Sequence, residues 1–204
     1  MPDALASSHV RLFIAVTVPE EVKASAQRAQ DELRRALPAA SVRWSKPDQF
    51  HLTLRFLGNV EAAQLPALQA AAREMCGRFA PLRMRAERLG CFPLRGIPRV
   101  IWAGVRDEGD RLPELQQAIQ RASAPFTSEP AEERFTGHVT LGRIKAIRRG
   151  EAEELTKAIA AMAENTFGRW TASTVEIMRS ELSPAGASHS TLATLPLIGV
   201  DAGG

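Results

Sequence analysis

A chain of 204 residues is long enough for one substantial core or two small lobes and too short for several independent domains. With 45% hydrophobic and 24% charged residues it has the make-up of a soluble globular protein, which excludes extended disorder. A formal charge of +3 leans only weakly toward a polyanionic partner, and the apolar runs are too short to span a bilayer.

From Val10 to Val18 the run VRLFIAVTV is rich in apolar and β-branched residues, which suits a buried strand. Pro19 then opens a helix, where its missing N–H costs nothing, and Val22, Ala26, Ala29 and Leu33 recur at helical spacing up to Leu37-Pro38. Alternation over Phe50–Leu57 predicts a second strand, Gly58-Asn59 a turn, and Leu65, Leu68, Ala72 and Met75 an amphipathic helix. A third strand is expected near Leu82–Phe92. The order then begins again, with a strand over Pro98–Val105, a helix striped by Leu112, Leu115 and Ile119, and a strand over Thr136–Ile144. Leu155, Ile159 and Met162 stripe the next helix, and Trp170–Arg179 reads as one strand. An extra strand is expected over His189–Leu197 and a frayed end over Asp201–Gly204.

Equivalent elements of the two series lie roughly 88 residues apart, the signature of an internal repeat. Two copies of a β-α-β-α-β unit, over 10–92 and 98–180 with a closing strand over 189–197, predict an α+β fold of two pseudo-symmetric lobes. Antiparallel sheets with helices gathered outside leave a second face on each sheet, and two such faces make a central cleft within a single domain of residues 1–204.

The first copy carries His51-Leu52-Thr53-Leu54 and the second His138-Val139-Thr140-Leu141, in step with the repeat. Side chains alternate along a strand, so each His and Thr share one face while Leu52, Leu54, Val139 and Leu141 share the other. His189-Ser190-Thr191-Leu192 fits the same string, but stepping back by the repeat from His189 reaches Ile101 rather than a histidine. It is therefore read as a look-alike.

Imidazole titrates near neutrality, so one ring can take a proton while another gives one. On opposite walls of a cleft, two such rings suit displacement at a cyclic phosphodiester: water loses a proton on one side of phosphorus while the departing ribose oxygen gains one on the other. The Thr53 and Thr140 hydroxyls, aimed the same way, are neutral donors for the nonbridging oxygens. A lone strand histidine is more often a hydrogen-bonded surface residue; the pair in repeat register is what points to chemistry. Neither string holds a Cys or an acidic residue at ligand spacing, so neither a metal nor a cofactor is expected.

RLFIAVTVP at Arg11–Pro19, VRWSKPDQFHLTLRFLGNV at Val42–Val60, HVTLGRI at His138–Ile144 and RSELSP at Arg179–Pro184 resemble the 2H phosphoesterases, and within them the RNA 2′,3′-cyclic phosphodiesterases also called 2′-5′ RNA ligases. The resemblance runs from about Arg11 to Leu197. It implies a bilobal fold with a central cleft and metal-independent hydrolysis of a 2′,3′-cyclic phosphate to a 2′-phosphate. It also implies that His51 is the proton donor to the leaving 3′ oxygen and His138 the proton acceptor from water, a choice the symmetric repeat leaves open. The ligase name reflects a reverse reaction joining RNA ends by a 2′-5′ bond. Where the family usually shows a tyrosine, this chain, which has no Tyr, has His189.

Arg55 shares strand parity with His51 and Thr53 and is a candidate for phosphate at the cleft mouth. Arg143 has the wrong parity for a flat strand and needs a β-bulge to join it. Phe13 and Trp44 are candidates for stacking a base, against the commoner reading of a strand aromatic as core. The Arg148-Arg149 pair reads as a solvated face. Expected partners are RNA ends carrying a 2′,3′-cyclic phosphate, tRNA-derived ends among them, with no membrane and a monomeric state. Cys76 and Cys91 cannot build a disulfide framework and no leading apolar segment resembles a signal peptide, so the cytoplasm is the expected compartment. Two competing readings are the same chemistry on small cyclic nucleotides or 2′-5′ oligonucleotides, and a noncatalytic module that binds RNA ends.

Overall fold

The chain order is β1 (His9–Thr17), α1 (Glu20–Ala36), β2 (Ser41–Trp44), β3 (His51–Glu61), α2 (Leu65–Cys76), β4 (Leu82–Phe92), β5 (Val100–Asp107), α3 (Leu112–Ser123), β6 (His138–Ala146), α4 (Arg149–Ala161), β7 (Thr166–Ala172), β8 (Thr174–Ser183) and β9 (Gly186–Pro196). The computed structural model describes residues 9–183 and 186–200; the end expected to fray, Asp201–Gly204, and Pro184 of the RSELSP match lie outside them. Helix ends follow their charges: Glu20 and Glu21 sit in the first turn of α1 and Arg34 and Arg35 in the last, each favoured by the helix dipole. Buried Asp107 gathers the leading amides of α3, accepting from the N–H groups of Arg111 and Leu112 at 3.0 and 2.8 Å. No helix among the described residues is long and apolar enough to cross a membrane.

Three local expectations change. Gly58-Asn59 is not a turn: β3 runs on to Glu61, and Gly58 takes a left-handed φ of 64° beside a bulge where a Cβ would strike the Glu129 side chain. The strand expected over Trp170–Arg179 is two, β7 and β8, parted at Ser173. The short β2, paired with β6, carried too little alternation to be read in advance.

All nine strands join one antiparallel sheet in the order β7-β4-β5-β6-β3-β1-β8-β9, with β2 alongside β6. β7 and β8, consecutive in the chain, lie near opposite ends of that order, so the sheet must curl to bring its ends together. Nor does it divide at the boundary between the two series. The last strand of the first series, β4, pairs with β5 of the second, and β8 of the second pairs with β1 of the first. The helices cross in the same way, α1 packing with α4 and β7 while α2 packs with α3 and β9. Each half of the sheet is thus built from both series, and the core is one continuous cluster in which Leu52, Leu54, Val139 and Leu141 are all at most 2% exposed.

The halves meet at one bridge, Leu52 opposite Val139. Continuing that antiparallel register by one residue each way sets His51 against Thr140 and Thr53 against His138, so an approximate twofold axis passes through the bridge. Beyond it the strands diverge because each is bulged. Leu54 is the extra residue of β3 against β1, and Leu141 that of β6 against β5. A bulge bends and twists its strand and displaces the local ladder, so backbone groups there need other partners. Two buried glutamines supply them from the helices: Gln30 of α1 donates to the Leu141 carbonyl at 2.8 Å, and Gln116 of α3 donates to the Leu54 carbonyl at 3.3 Å.

Candidate active site

The polar face at the bridge floors a cleft of about 440 Å³ whose lining includes His51, Thr53, His138 and Thr140. Arg11, Arg43, Lys46 and Arg143 add four cations, with no carboxylate among the lining residues. Such a site attracts an anion the size of a phosphate ester.

The bulges decide which neighbours join. A residue inserted at Leu54 flips the parity of β3 beyond it, so Arg55 leaves the cleft face and Phe56 takes its place. Arg55 is instead 6% exposed and donates to the carbonyls of Glu129 at 2.6 Å and Pro130 at 2.5 Å, pinning the loop before β6. The expectation that it holds phosphate is corrected on that ground. The bulge at Leu141 has the opposite consequence for Arg143, bringing it into the cleft wall. Phe13 is 4% exposed beneath two imidazoles, with ring centroids 4.7 Å from His51 and 5.0 Å from His189, so it forms the floor and leaves little surface for a base. Trp44 lies at the cleft edge with the Arg34 guanidinium 5.5 Å from its ring centroid.

His189 belongs to the site, against the reading of its string as a look-alike. β9 follows β8, and register brings His189 opposite Ser180, both lining the cleft, with its ring edge-on to His51 at 5.2 Å. The repeat could not reveal this, since β9 stands outside the two series. The string is even bulged at Leu192 as the others are at their leucines, though the Thr191 hydroxyl is given to Glu176. Two aromatics that the sequence does not single out pack against His138: Phe92 lies edge-on to it at 5.2 Å and Trp102 lies 6.5 Å away. The Trp102 ring covers Gly90, where any side chain would collide with it.

His138 Nδ1 lies 2.7 Å from the Thr136 carbonyl oxygen, which can only accept, so Nδ1 carries the proton and Nε2 keeps a lone pair when the ring is neutral. Burial is the main cause lowering the His138 pKa; the Thr136 hydrogen bond opposes it and the Arg143 charge adds to it. His51 is held lower, at about 4, first by burial and then by His189, with His138 and Arg143 contributing and the Gln49 backbone opposing. Burial lowers His189 as well, against the pull of Asp48. All three rings are therefore neutral in the empty cleft at pH 7. Burial pushes the free thiols Cys76 and Cys91 up to about 12 and about 11, so neither is a nucleophile at that pH. No group of three or more His, Cys, Asp or Glu among the described residues is arranged to hold a metal ion.

The family described as LigT-like phosphoesterase matches residues 16–102 and 104–188. An RNA 2′,3′-cyclic phosphodiesterase of Thermus thermophilus is 31% identical, over 93% of this chain and 91% of its own. One from Methanothermobacter thermautotrophicus is 29% identical over 90% of this chain and 96% of its own. The crystal structure of TT0787 of Thermus thermophilus superposes with a TM-score of 0.75 at 32% identity, covering 93% of this chain and 98% of that one. Escherichia coli LigT complexed with 3′-AMP shares the fold, with a TM-score of 0.73 at 21% identity over 93% of this chain and 98% of that one. By sequence over most of its length and by the architecture of its curled sheet, this chain belongs to the LigT-like phosphoesterase family.

Proposed function

We propose that this chain, working as one domain, hydrolyses the 2′,3′-cyclic phosphate at an RNA 3′ end to a 2′-phosphate without a metal, His51 protonating the departing 3′ oxygen and His138 activating the attacking water. The observation that carries this reading is the Leu52–Val139 bridge, which sets two imidazoles and two hydroxyls on one polar face about a local twofold axis. The proton on His138 Nδ1 leaves Nε2 as the base. His51 is neutral in the empty cleft and gains its proton with the substrate, whose phosphate charge favours imidazolium. Thr53, Thr140 and Arg143 hold the nonbridging oxygens, and Trp44 stacks on the terminal base. The relatives named as RNA 2′,3′-cyclic phosphodiesterases support the substrate. On this reading tRNA-derived ends are among its sources. Reversal of the same proton transfers joins RNA ends by a 2′-5′ bond. The working form is a cytoplasmic monomer.

The test is an oligoribonucleotide ending in a 2′,3′-cyclic phosphate, incubated with the protein and EDTA. A 2′-monophosphate product is expected. A 3′-monophosphate product, absence of turnover, or turnover abolished by EDTA overturns the reading. Replacing His51 or His138 by Ala lowers the rate by about 10² to 10⁴. End binding that survives both replacements with no product from the wild type would identify a binding module, and faster turnover of cyclic mononucleotides than of RNA ends would identify a small-molecule enzyme.

A further inference from the structure

His189 is a third imidazole in the cleft with an assignable tautomer. Its Nδ1 is buried and has no hydrogen-bond partner among the described residues, while the ring lines the cleft edge-on to both Phe13 and His51. A proton on Nδ1 would be a buried N–H with no acceptor, a rarity in folded proteins, whereas only Nδ1 and not Nε2 is shut away without a partner. The neutral ring therefore keeps its proton on Nε2, and Nε2 is the polar atom it can offer the cleft. His138 has the reverse arrangement, its Nδ1 proton committed to Thr136. One ring thus presents a lone pair and the other an N–H.

We propose that His189 is a substrate-contacting residue whose neutral Nε2–H donates to a nonbridging phosphate oxygen on the His51 wall of the cleft. On this wall the bulge of β3 has put Phe56 where the opposite wall has Arg143, so a donor from β9 supplies what the strand itself lacks. The assignment rests on the phosphoester reading above for the identity of the reaction, but not for the anion contact.

Three variants separate donor from wall. His189→Phe keeps a ring against Phe13 and His51 and removes the donor; His189→Tyr supplies a neutral O–H; His189→Gln supplies an amide N–H without a ring. Turnover of a dinucleotide 2′,3′-cyclic phosphate and binding of inorganic phosphate are measured for each, and the wild-type ring nitrogens are followed by ¹⁵N NMR. Expected are a loss of about tenfold to a hundredfold in kcat/KM for His189→Phe, the range for a hydrogen bond to a charged group, with weaker phosphate binding. His189→Tyr should recover most of it. The wild-type spectrum should show a protonated Nε2 and a bare Nδ1. Phosphate affinity equal in His189→Phe and wild type, equal losses in all three variants, or a proton on Nδ1 would overturn the proposal. Failure of the wild type to turn over the dinucleotide would sink the phosphoester reading alone, since phosphate binding and the nitrogen spectrum still judge His189.

Discussion

The two walls of the cleft share a framework and differ in what it presents. Each has a His-x-Thr-Leu strand, a bulge at the last leucine, and a buried glutamine from a helix donating to that leucine's carbonyl. Past the bulge they part: Phe56 with Arg11 over its ring at 4.7 Å on the His51 wall, Arg143 on the His138 wall. The histidines are set apart as well, His51 packed against Phe13 and His189, His138 against Phe92 and Trp102. The repeat therefore places two imidazoles in symmetric positions, and their surroundings make them unequal, since burial and the neighbouring His189 act on His51 while no third histidine acts on His138. That inequality is what acid–base chemistry needs, since one ring must hold a proton while the other lacks it.

The comparison breaks most visibly at the position after the bulge. Arg143→Ala should lower kcat/KM by about tenfold to a hundredfold, the scale of a charge-assisted contact to phosphate, with most of the loss in KM. Phe56→Ala, at the matching place, should change it by only a few fold, and steady-state kinetics of the two variants decide the matter. Equal losses would mean that the walls are interchangeable.

Below the surface the walls should respond alike. Gln30→Leu and Gln116→Leu each remove a donor from a buried carbonyl, that of Leu141 keeping the Ser45 N–H at 2.9 Å, and each should lower stability by about 1–3 kcal/mol in denaturant unfolding. Gln30 gives two 2.8 Å hydrogen bonds, to Leu141 and Ser45, against one longer bond to Leu54 from Gln116, so Gln30→Leu should be the larger. Unchanged stability in both variants would show that the bulges do not depend on these donors.

How much of this could be read from residues alone follows the same division. The buried framework was legible because it is periodic: the alternation around His51 and His138, the helix stripes and the spacing between series all come from packing against one core. What lies outside that pattern leaves no such signal. Strand parity put Arg55 in the cleft and Arg143 outside it unless a bulge intervened, and a bulge has no periodic signal. His189 has no counterpart in the repeat because β9 belongs to neither series, and Phe92 and Trp102 are ordinary strand aromatics until pairing sets them beside His138. Exchange of β4 and β8 between the halves is likewise invisible to a repeat, which gives the order of elements but not their partners.

The smallest expected effect concerns pH. In the free protein His51 is held at about 4 and His138 also below 6.5, and the proposed mechanism needs one proton shared between them. As pH rises through those values the acid is lost, and as it falls below the lower one the base is lost, so kcat/KM should peak below pH 6.5. Bound phosphate favours imidazolium, so kcat should peak at a higher pH than kcat/KM. The Arg143 charge disfavours both imidazoliums, and Arg143→Ala should move the kcat/KM optimum upward. A kcat/KM optimum at or above pH 7 in the wild type would contradict the lowering of both imidazoles by burial.

The most direct measurement is a double-mutant cycle on the two rings, with turnover of a dinucleotide 2′,3′-cyclic phosphate for His51→Ala, His138→Ala and the pair together. If both imidazoles act on one phosphorus in one step, either single change removes nearly the whole acid–base contribution, and the double variant should lie within about tenfold of the slower single. Losses that multiply, or a single variant that keeps its rate within tenfold of wild type, would show that the rings do not work as a unit.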